Sequence, residues 1–239
     1  MSLRDAWESN AAAWARAVRE PGWDHHYERL NAPAFLGIVP PARTRTLDLG
    51  CGEGRLGRVL AERGHRVVGV DSSAALVRLA AETIDAVQAD ATWLPFDDGS
   101  FDLVVAFMSL HDMDDMEGAV REVGRVLVRG GRFCVAVEHP FQKAGTWQDA
   151  EQIDSPFVIG GSYFAVRRME WIAERDGQRV RYASIHRPLE RYARALEAAG
   201  LLIETIREPT PDEAFVAARP RVARWRRMPL FLHLRAVRA

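Results

Sequence analysis

Short apolar runs alternate with helical stripes along most of the chain, the pattern of a parallel sheet covered by helices. Residues 3–17 form the first stripe, with Trp7 and Trp14 seven apart and so on one helix face. A break at Pro21 and Gly22 separates it from a second helical piece carrying Trp23 and Tyr27 one turn apart. An apolar run ending at Leu49 stops on glycines, and a helix follows with Leu56, Val59 and Leu60 on one face and Gly64 as its stop. Further strands are predicted over 66–70, 86–89, 103–107 and 132–137. Between the last two, Met116, Ala119, Val120, Val123 and Leu127 make the buried face of a helix capped by Asp114 or Asp115.

Beyond the fifth strand the pattern weakens, and 141–159 reads as a loop. The runs 163–174 and 179–186 are then joined by Arg175-Asp176-Gly177-Gln178, an Asp-Gly hairpin signal. This hairpin holds Tyr163, Phe164, Trp171 and Tyr182, aromatic residues suited to covering a substrate, to packing on the sheet or to a dimer contact. Pro188 opens a helix with Leu189, Tyr192, Ala193, Leu196 and Ala199 inward, stopped by Gly200. Two last strands, 201–207 and 230–237, flank a segment with Arg219, Arg221, Arg224, Arg226 and Arg227, expected on a solvated loop or helix face.

Composition adds bounds. The 239 residues suit one α/β domain, 1–239, with 1–40 and 141–187 as additions to it. A net charge of −1 gives no ground for nucleic acid or an anionic membrane as partner. Lys143 is the only lysine among 32 basic residues, which a genome favouring arginine codons explains. Cys51 and Cys134 make no disulfide framework, the amino terminus is polar, and no apolar run approaches the ~18 residues of a membrane helix. A cytoplasmic protein, monomer or homodimer, is the expectation.

Candidate chemistry centres on RTLDLGCGEGRLGRVL, residues 45–60. Glycines at 50, 52 and 54 let the backbone bend and a ligand lie against bare main chain, while free N–H groups at the helix start face it. A dinucleotide fingerprint would be G-x-G-x-x-G, whereas Arg55 stands at its last glycine and Asp48 would repel a phosphate. An acid there suits a cationic ligand, or holds the loop through backbone N–H groups. Asp71 ends the second strand, where open α/β folds place the acceptor of ribose hydroxyls; it or Ser72 equally suits the cap of the next helix.

The stretch resembles motif I of the class I S-adenosylmethionine-dependent methyltransferases, and the resemblance continues through Asp90-Ala91 and Phe101-Asp102. It implies a seven-stranded sheet in the order 3-2-1-4-5-7-6, last strand antiparallel, with helices on both faces. It further implies that Asp48, Gly50, Cys51, Gly52 and Gly54 hold the methionine end of S-adenosylmethionine, with Asp71 and Ser72 at the ribose and Asp90 and Ala91 at the adenine. The backbone at Phe107 would approach the amino group. Residues 1–40 would form a helical lid carrying Trp14 and Tyr27, and Tyr163 would belong to the substrate cover. Phe107-Met108-Ser109-Leu110-His111-Asp112 lacks the Asn/Asp-Pro-Pro-aromatic sequence of amino-group methyltransferases. It is similar instead to the branch acting on small molecules, quinone-biosynthesis enzymes included.

The implied acceptor is small and aromatic or apolar, methylated on oxygen first, with nitrogen or carbon as alternatives. A hydroxyl acceptor benefits from a base near neutrality, and His111, His186 and His139 lie on the carboxyl side of the sheet. Asp112, Asp114 and Asp115 read as cap and dipole partners rather than metal ligands. A cofactor-binding module without transfer, and a nicotinamide oxidoreductase, remain the readings from other classes.

Overall fold

The computed structural model describes residues 2–175 and 177–239. Helix α1 (Leu3–Arg19) starts in a capping box: Ser2 accepts from the Asp5 N–H and Asp5 returns the bond. The second helical piece is a π-helical turn, Tyr27–Asn31, running into the short α2 (Ala32–Leu36); Trp23 lies in the turn before it. Then follow β1 (Thr46–Leu49), α3 (Arg55–Glu62), β2 (Val67–Asp71), α4 (Ala74–Ala80), β3 (Asp85–Gln88) and β4 (Phe101–Phe107). Ser73, rather than Asp71 or Ser72, caps α4 by accepting from the Leu76 N–H at 3.1 Å. Helix α5 (Met116–Val126), capped by Asp115, leads into β5 (Leu127–Glu138), which Leu127 opens.

The segment expected as a loop is not one. Pro140–Ala144 forms α6, and Gly145–Trp147 (β6) pairs antiparallel with Phe157–Ile159 (β7). A hairpin follows, β8 (Arg167–Arg175) and β9 (Gln178–His186), paired from Arg167↔His186 to Arg175↔Gln178. Its first strand starts four residues later than expected because Tyr163 and Phe164 lie in a turn. Asp176 of the Asp-Gly signal lies outside the described residues. Helix α7 (Leu189–Ala198), β10 (Leu201–Arg207), α8 (Glu213–Ala218) and β11 (Phe231–Arg238) complete the chain.

The main sheet runs β10-β11-β5-β4-β1-β2-β3, the expected order with β11 antiparallel to both neighbours. The central strands β1 and β4 are buried along almost their whole length because helices cover both faces. Phe101, Val104 and Phe133 pack with α5 and α7 on one side; Leu103 and Val105 pack with Phe35, Leu56 and Leu60 on the other. Each such fully buried side chain contributes about 1.5–3 kcal/mol by leaving water. The arginine segment departs from a solvated face at Arg224, which is buried and donates to the Ala150 and Gln152 carbonyls at 2.8 and 3.0 Å.

Helix α1 crosses the carboxyl ends of the strands between α4 and the hairpin. The side chain of Asn10 donates to the Arg181 carbonyl at 2.7 Å and accepts from the Arg181 N–H at 3.1 Å. Glu8 accepts from the Ser73 hydroxyl, Arg19 pairs with the buried Glu53 at 2.9 Å, and the Leu3 N–H donates to Asp114 at 3.0 Å. These bonds seat α1 across the top of the sheet.

Candidate active site

Beneath α1 lies a cavity of about 810 Å³. The turn after β1 forms one end, and its glycines carry φ of +72°, +57° and +86° at Gly50, Gly52 and Gly54, a region costly for any residue with a Cβ. Four N–H groups of the turn itself are engaged within the fold. Gly50 and Cys51 both donate to the Val70 carbonyl (2.7 and 3.0 Å), Gly52 donates to Asp71 (2.9 Å), and Gly54 donates to the Cys51 carbonyl (3.0 Å). The turn therefore presents bare Cα surface and carbonyls, which suit a cationic ligand better than a phosphate.

Asp71 uses both carboxylate oxygens, Oδ2 accepting from Gly52 and Oδ1 from the Ser73 N–H at 2.9 Å, which locks the turn after β1 to the turn after β2. Each oxygen keeps a lone pair for a ligand hydroxyl. Burial raises its carboxyl above the usual range. Asp48 is buried more severely: desolvation, then the nearby Asp71, pushes it up to about 7, against the Gly57 N–H. Its Oδ2 has no partner. Asp90 accepts from Thr92 through both N–H (2.9 Å) and hydroxyl (2.7 Å), bonds that hold its carboxyl below the usual range.

Gly50, Cys51, Gly52, Asp48, Asp71, Ser72, Asp90, Ala91 and Phe107 all line this cavity, as do Trp14, Tyr27 and His111. Gly54, Tyr163, His139 and His186 do not. Gly54 lies under the turn against Ala80. His139 caps α6 by accepting from the Phe141 N–H at 3.1 Å and meets Glu208 at 3.0 Å through its other nitrogen. His186 holds the Tyr163 carbonyl at 2.8 Å, and the Tyr163 hydroxyl accepts from the Leu189 N–H at 2.9 Å. Tyr163 and His139 thus tie the insertion to α7 and to the segment after β10, and His186 braces it internally.

Several contacts along this wall escaped the sequence, although Trp14 and Tyr27 were expected beside the cavity. Tyr27 stacks under the Arg55 guanidinium at 3.3 Å, and Arg55 pairs with Asp24 at 3.2 Å. Trp14, Trp7, Tyr182 and Trp171 form a chain of ring contacts at 5.9, 6.2 and 5.2 Å from the glycine turn to the hairpin. Met108 follows β4 at φ +57°, in the left-handed region, a local cost of about 1–2 kcal/mol that turns the chain beside the cavity. Of these, only the aromatic spacing left a trace in the sequence. Of the clustered acids, Asp115 caps α5, Asp114 receives Leu3, and Asp112 faces His111.

His111 is buried on the wall. Its Nε2 lies 3.4 Å from Asp112 Oδ1 and 3.7 Å from Glu138 Oε2, while its Nδ1 has no partner. Burial, with Lys143 and Arg187 nearby, lowers it well below the usual imidazole range. Unpartnered buried polar atoms cost free energy and mark places where something else is to be bound. Trp7 Nε1, His26 Nε2, Tyr27 OH, Asp48 Oδ2 and His111 Nδ1 are all such atoms, and all belong to this wall.

Sheet order, the antiparallel β11 and a glycine-turn cavity at the carboxyl ends of the strands define the class I S-adenosylmethionine-dependent methyltransferases. Residues 47–135 of the chain match the family model described as a methyltransferase domain. The chain is 38% identical over 127 residues to a demethylmenaquinone methyltransferase of Clavibacter sepedonicus, covering 46% of this chain and 52% of that one. Against the 27-O-demethylrifamycin SV methyltransferase of Amycolatopsis mediterranei it is 33% identical over 161 residues, 59% of this chain and 58% of that one. The chain thus spans about half the length of the curated relatives it matches. An S-adenosylmethionine-dependent methyltransferase structure from Mesorhizobium loti superposes with a TM-score of 0.72 at 29% identity, covering 86% of this chain and 96% of that one. The [4+2]-cyclase SpnF, at 20% identity and a TM-score of 0.65 over 99% of this chain and 96% of that one, shares the fold alone. S-adenosylmethionine is the cofactor of the class, and a cavity with an unpartnered buried carboxylate oxygen at its glycine end fits a ligand carrying an ammonium and a sulfonium.

Proposed function

We propose that this protein transfers a methyl group to a hydroxyl of a small aromatic or apolar molecule, with His111 as general base. One observation carries the reading: a buried imidazole on the wall of the cofactor cavity has carboxylates at one nitrogen and no partner at the other. S-adenosylmethionine supplies an electrophilic methyl group when bound. Asp48, the glycine turn, Asp71 and Asp90 with Ala91 would hold it by its methionine, ribose and adenine parts. His111 Nδ1 would take the proton that the acceptor hydroxyl gives up on methylation. Aim contributes most, because near-attack placement alone supplies about 7–11 kcal/mol of such a barrier.

Aromatic walls from Trp7, Trp171 and Tyr182 favour a flat apolar acceptor over a nucleic acid. Residues 1–40 act as a lid and 141–187 as a substrate cover, around a single domain working in the cytoplasm as a monomer or homodimer. No helix among the described residues is long and apolar enough to cross a membrane.

The test is transfer of labelled methyl to a panel of phenols, hydroxyquinones and indoles, run beside calorimetric titration with S-adenosylhomocysteine. A productive acceptor should lose about 10²–10⁴-fold in turnover with His111→Gln, while the titration is unchanged. Full turnover by that variant would remove His111 from the chemistry, and absence of binding by folded wild type would remove the methyl-transfer reading itself.

A further inference from the structure

The only lysine of the chain is buried, 6% exposed, against Glu138 and Trp171 of the cavity wall. Long ammonium side chains are seldom buried unless every proton is engaged. Lys143 meets that condition through three elements. Its ammonium pairs with Glu138 at the end of β5, donates to the Ser184 hydroxyl of β9 at 3.0 Å, and sits 3.8 Å from the ring centre of Trp171 on β8. Glu138 and Trp171 are cavity residues, and the carboxylate that Lys143 engages is the one lying 3.7 Å from His111 Nε2.

An arginine is the residue this chain uses for every other cation, and elsewhere it makes fork-shaped contacts, as Arg125 does to Glu122 and Asp98. Here the site takes a compact point charge between a carboxylate, a hydroxyl and a ring face. Codon preference does not explain the exception.

The charged and titratable groups around His111 are Asp112 on its own turn, Glu138 on β5, Lys143 on α6, Arg187 after β9, and the phenols of Tyr182 and Tyr192 beside Glu138. Arg187 is anchored to the Met113 and Asp114 carbonyls at 2.6 and 3.1 Å. Two cations thus stand against Glu138 and Asp112 around one imidazole, with burial holding the Asp112 carboxyl well above its usual range. Without Lys143, Glu138 would face His111 as an uncompensated buried anion and draw a second proton onto the ring. An imidazolium is no base, and it would repel a sulfonium bound in the same cavity.

We propose that Lys143 is a positioning residue: by pairing with Glu138 it keeps His111 neutral, with the proton on Nε2 and Nδ1 open to the acceptor hydroxyl. This deepens the proposed methyl transfer and rests on it for its purpose, though the state of the ring can be measured without any acceptor.

The experiment is nitrogen NMR of histidine-labelled protein across pH, with the His111 signals assigned by their absence in His111→Gln, beside titration with S-adenosylhomocysteine. Wild type should show a neutral ring protonated on Nε2 from pH 8 down to about pH 6, below which an ordinary imidazole charges. Lys143→Met should move its protonation upward by about one to three pH units. Should Lys143→Met fail to fold, Lys143→Gln keeps hydrogen bonding to Glu138 and Ser184 without the charge and should show the same upward move. A His111 titration unmoved by either neutral variant, or a wild-type proton on Nδ1, overturns the proposal. The expected ring behaviour without S-adenosylhomocysteine binding would support the pairing and count against methyl transfer alone.

Discussion

The two ends of the cavity are built from different materials. At the glycine end the wall is backbone: a turn whose Gly50, Cys51, Gly52 and Gly54 N–H groups are spent on Val70, Asp71 and Cys51 and whose shape excludes side chains. At the hairpin end it is side chains from distant elements, His111, Glu138, Lys143, Trp171 and Tyr182, held by ion pairs and ring contacts. A wall of backbone tolerates few changes and serves one shared ligand. A wall of side chains can be rebuilt one residue at a time, which is how one fold serves many acceptors.

The sharpest way to break this contrast is a methyl group at Gly50. A Cβ there would press on the Ser109 side chain, 2.8 Å from its Oγ, at a φ of +72°. Ser109 cannot step aside, because its hydroxyl donates to the Leu49 carbonyl at 2.6 Å. Gly50→Ala should cost about 2–5 kcal/mol in denaturant unfolding and abolish S-adenosylhomocysteine binding. Next in size is Asp71→Asn, which leaves the Gly52 or Ser73 N–H facing an amide instead of a carboxylate. Losing charge-assisted bonds of this kind costs about 1.5–3 kcal/mol, so binding by calorimetry should weaken by roughly ten- to a hundredfold. Retained affinity would show that the turn stands without its lock.

The same contrast explains what the sequence revealed. Residues 45–60 carry strand, turn and helix in one contiguous stretch, so Asp48 and the glycines were legible there, and Asp71 and Asp90 followed from their places at strand ends. Sheet order was legible through the same resemblance. The hairpin end has no such stretch: Glu138 and Ser184 meet only through Lys143, and Arg55 meets Tyr27 only after the amino-terminal segment has folded over. Lys143 was visible as a compositional oddity, yet nothing local said it was buried. Met108 was invisible because its left-handed backbone is imposed by the turn out of β4 rather than by its side chain. The pair β6 and β7 is three residues a strand, too short for an alternating pattern to register.

A third test uses pH. The folded carboxyl of Asp48 titrates at about 7, above its ordinary value, so the ligand-free fold binds a proton there that the unfolded chain has released. The stability this contributes is full in acid and is lost as pH rises through about 7. Asp48→Asn, uncharged throughout, should therefore gain more on wild type at pH 8 than at pH 5. The gain expected is about 1–2 kcal/mol, or roughly 2–8 °C in a chain of this length. Binding of S-adenosylmethionine near pH 7 should in turn release a proton, read as a buffer-dependent heat. Equal Tm differences at both pH values would show that Asp48 is already ionised in the ligand-free fold.

The smallest effect concerns what joins the two ends. Asn10 on α1 reads the backbone of Arg181 on β9 through both its amide oxygen and its amide nitrogen, while Glu8 and Arg19 on the same helix hold Ser73 and Glu53 at the glycine end. Arg19 is 44% exposed, so water screens its pair with Glu53 and its removal should be nearly silent. Asn10 is buried, and Asn10→Ala strands an N–H and a carbonyl of Arg181 at a cost of about 1 kcal/mol. That cost falls on the seating of α1 rather than on either wall. S-adenosylhomocysteine should then leave faster in stopped-flow displacement while its contacts at the glycine end stay intact, and amide exchange should rise along α1 and β9 but not along β1 and β2. Uniform exchange across all four would mean that α1 is part of the core and no lid, and that the ligand enters by another route.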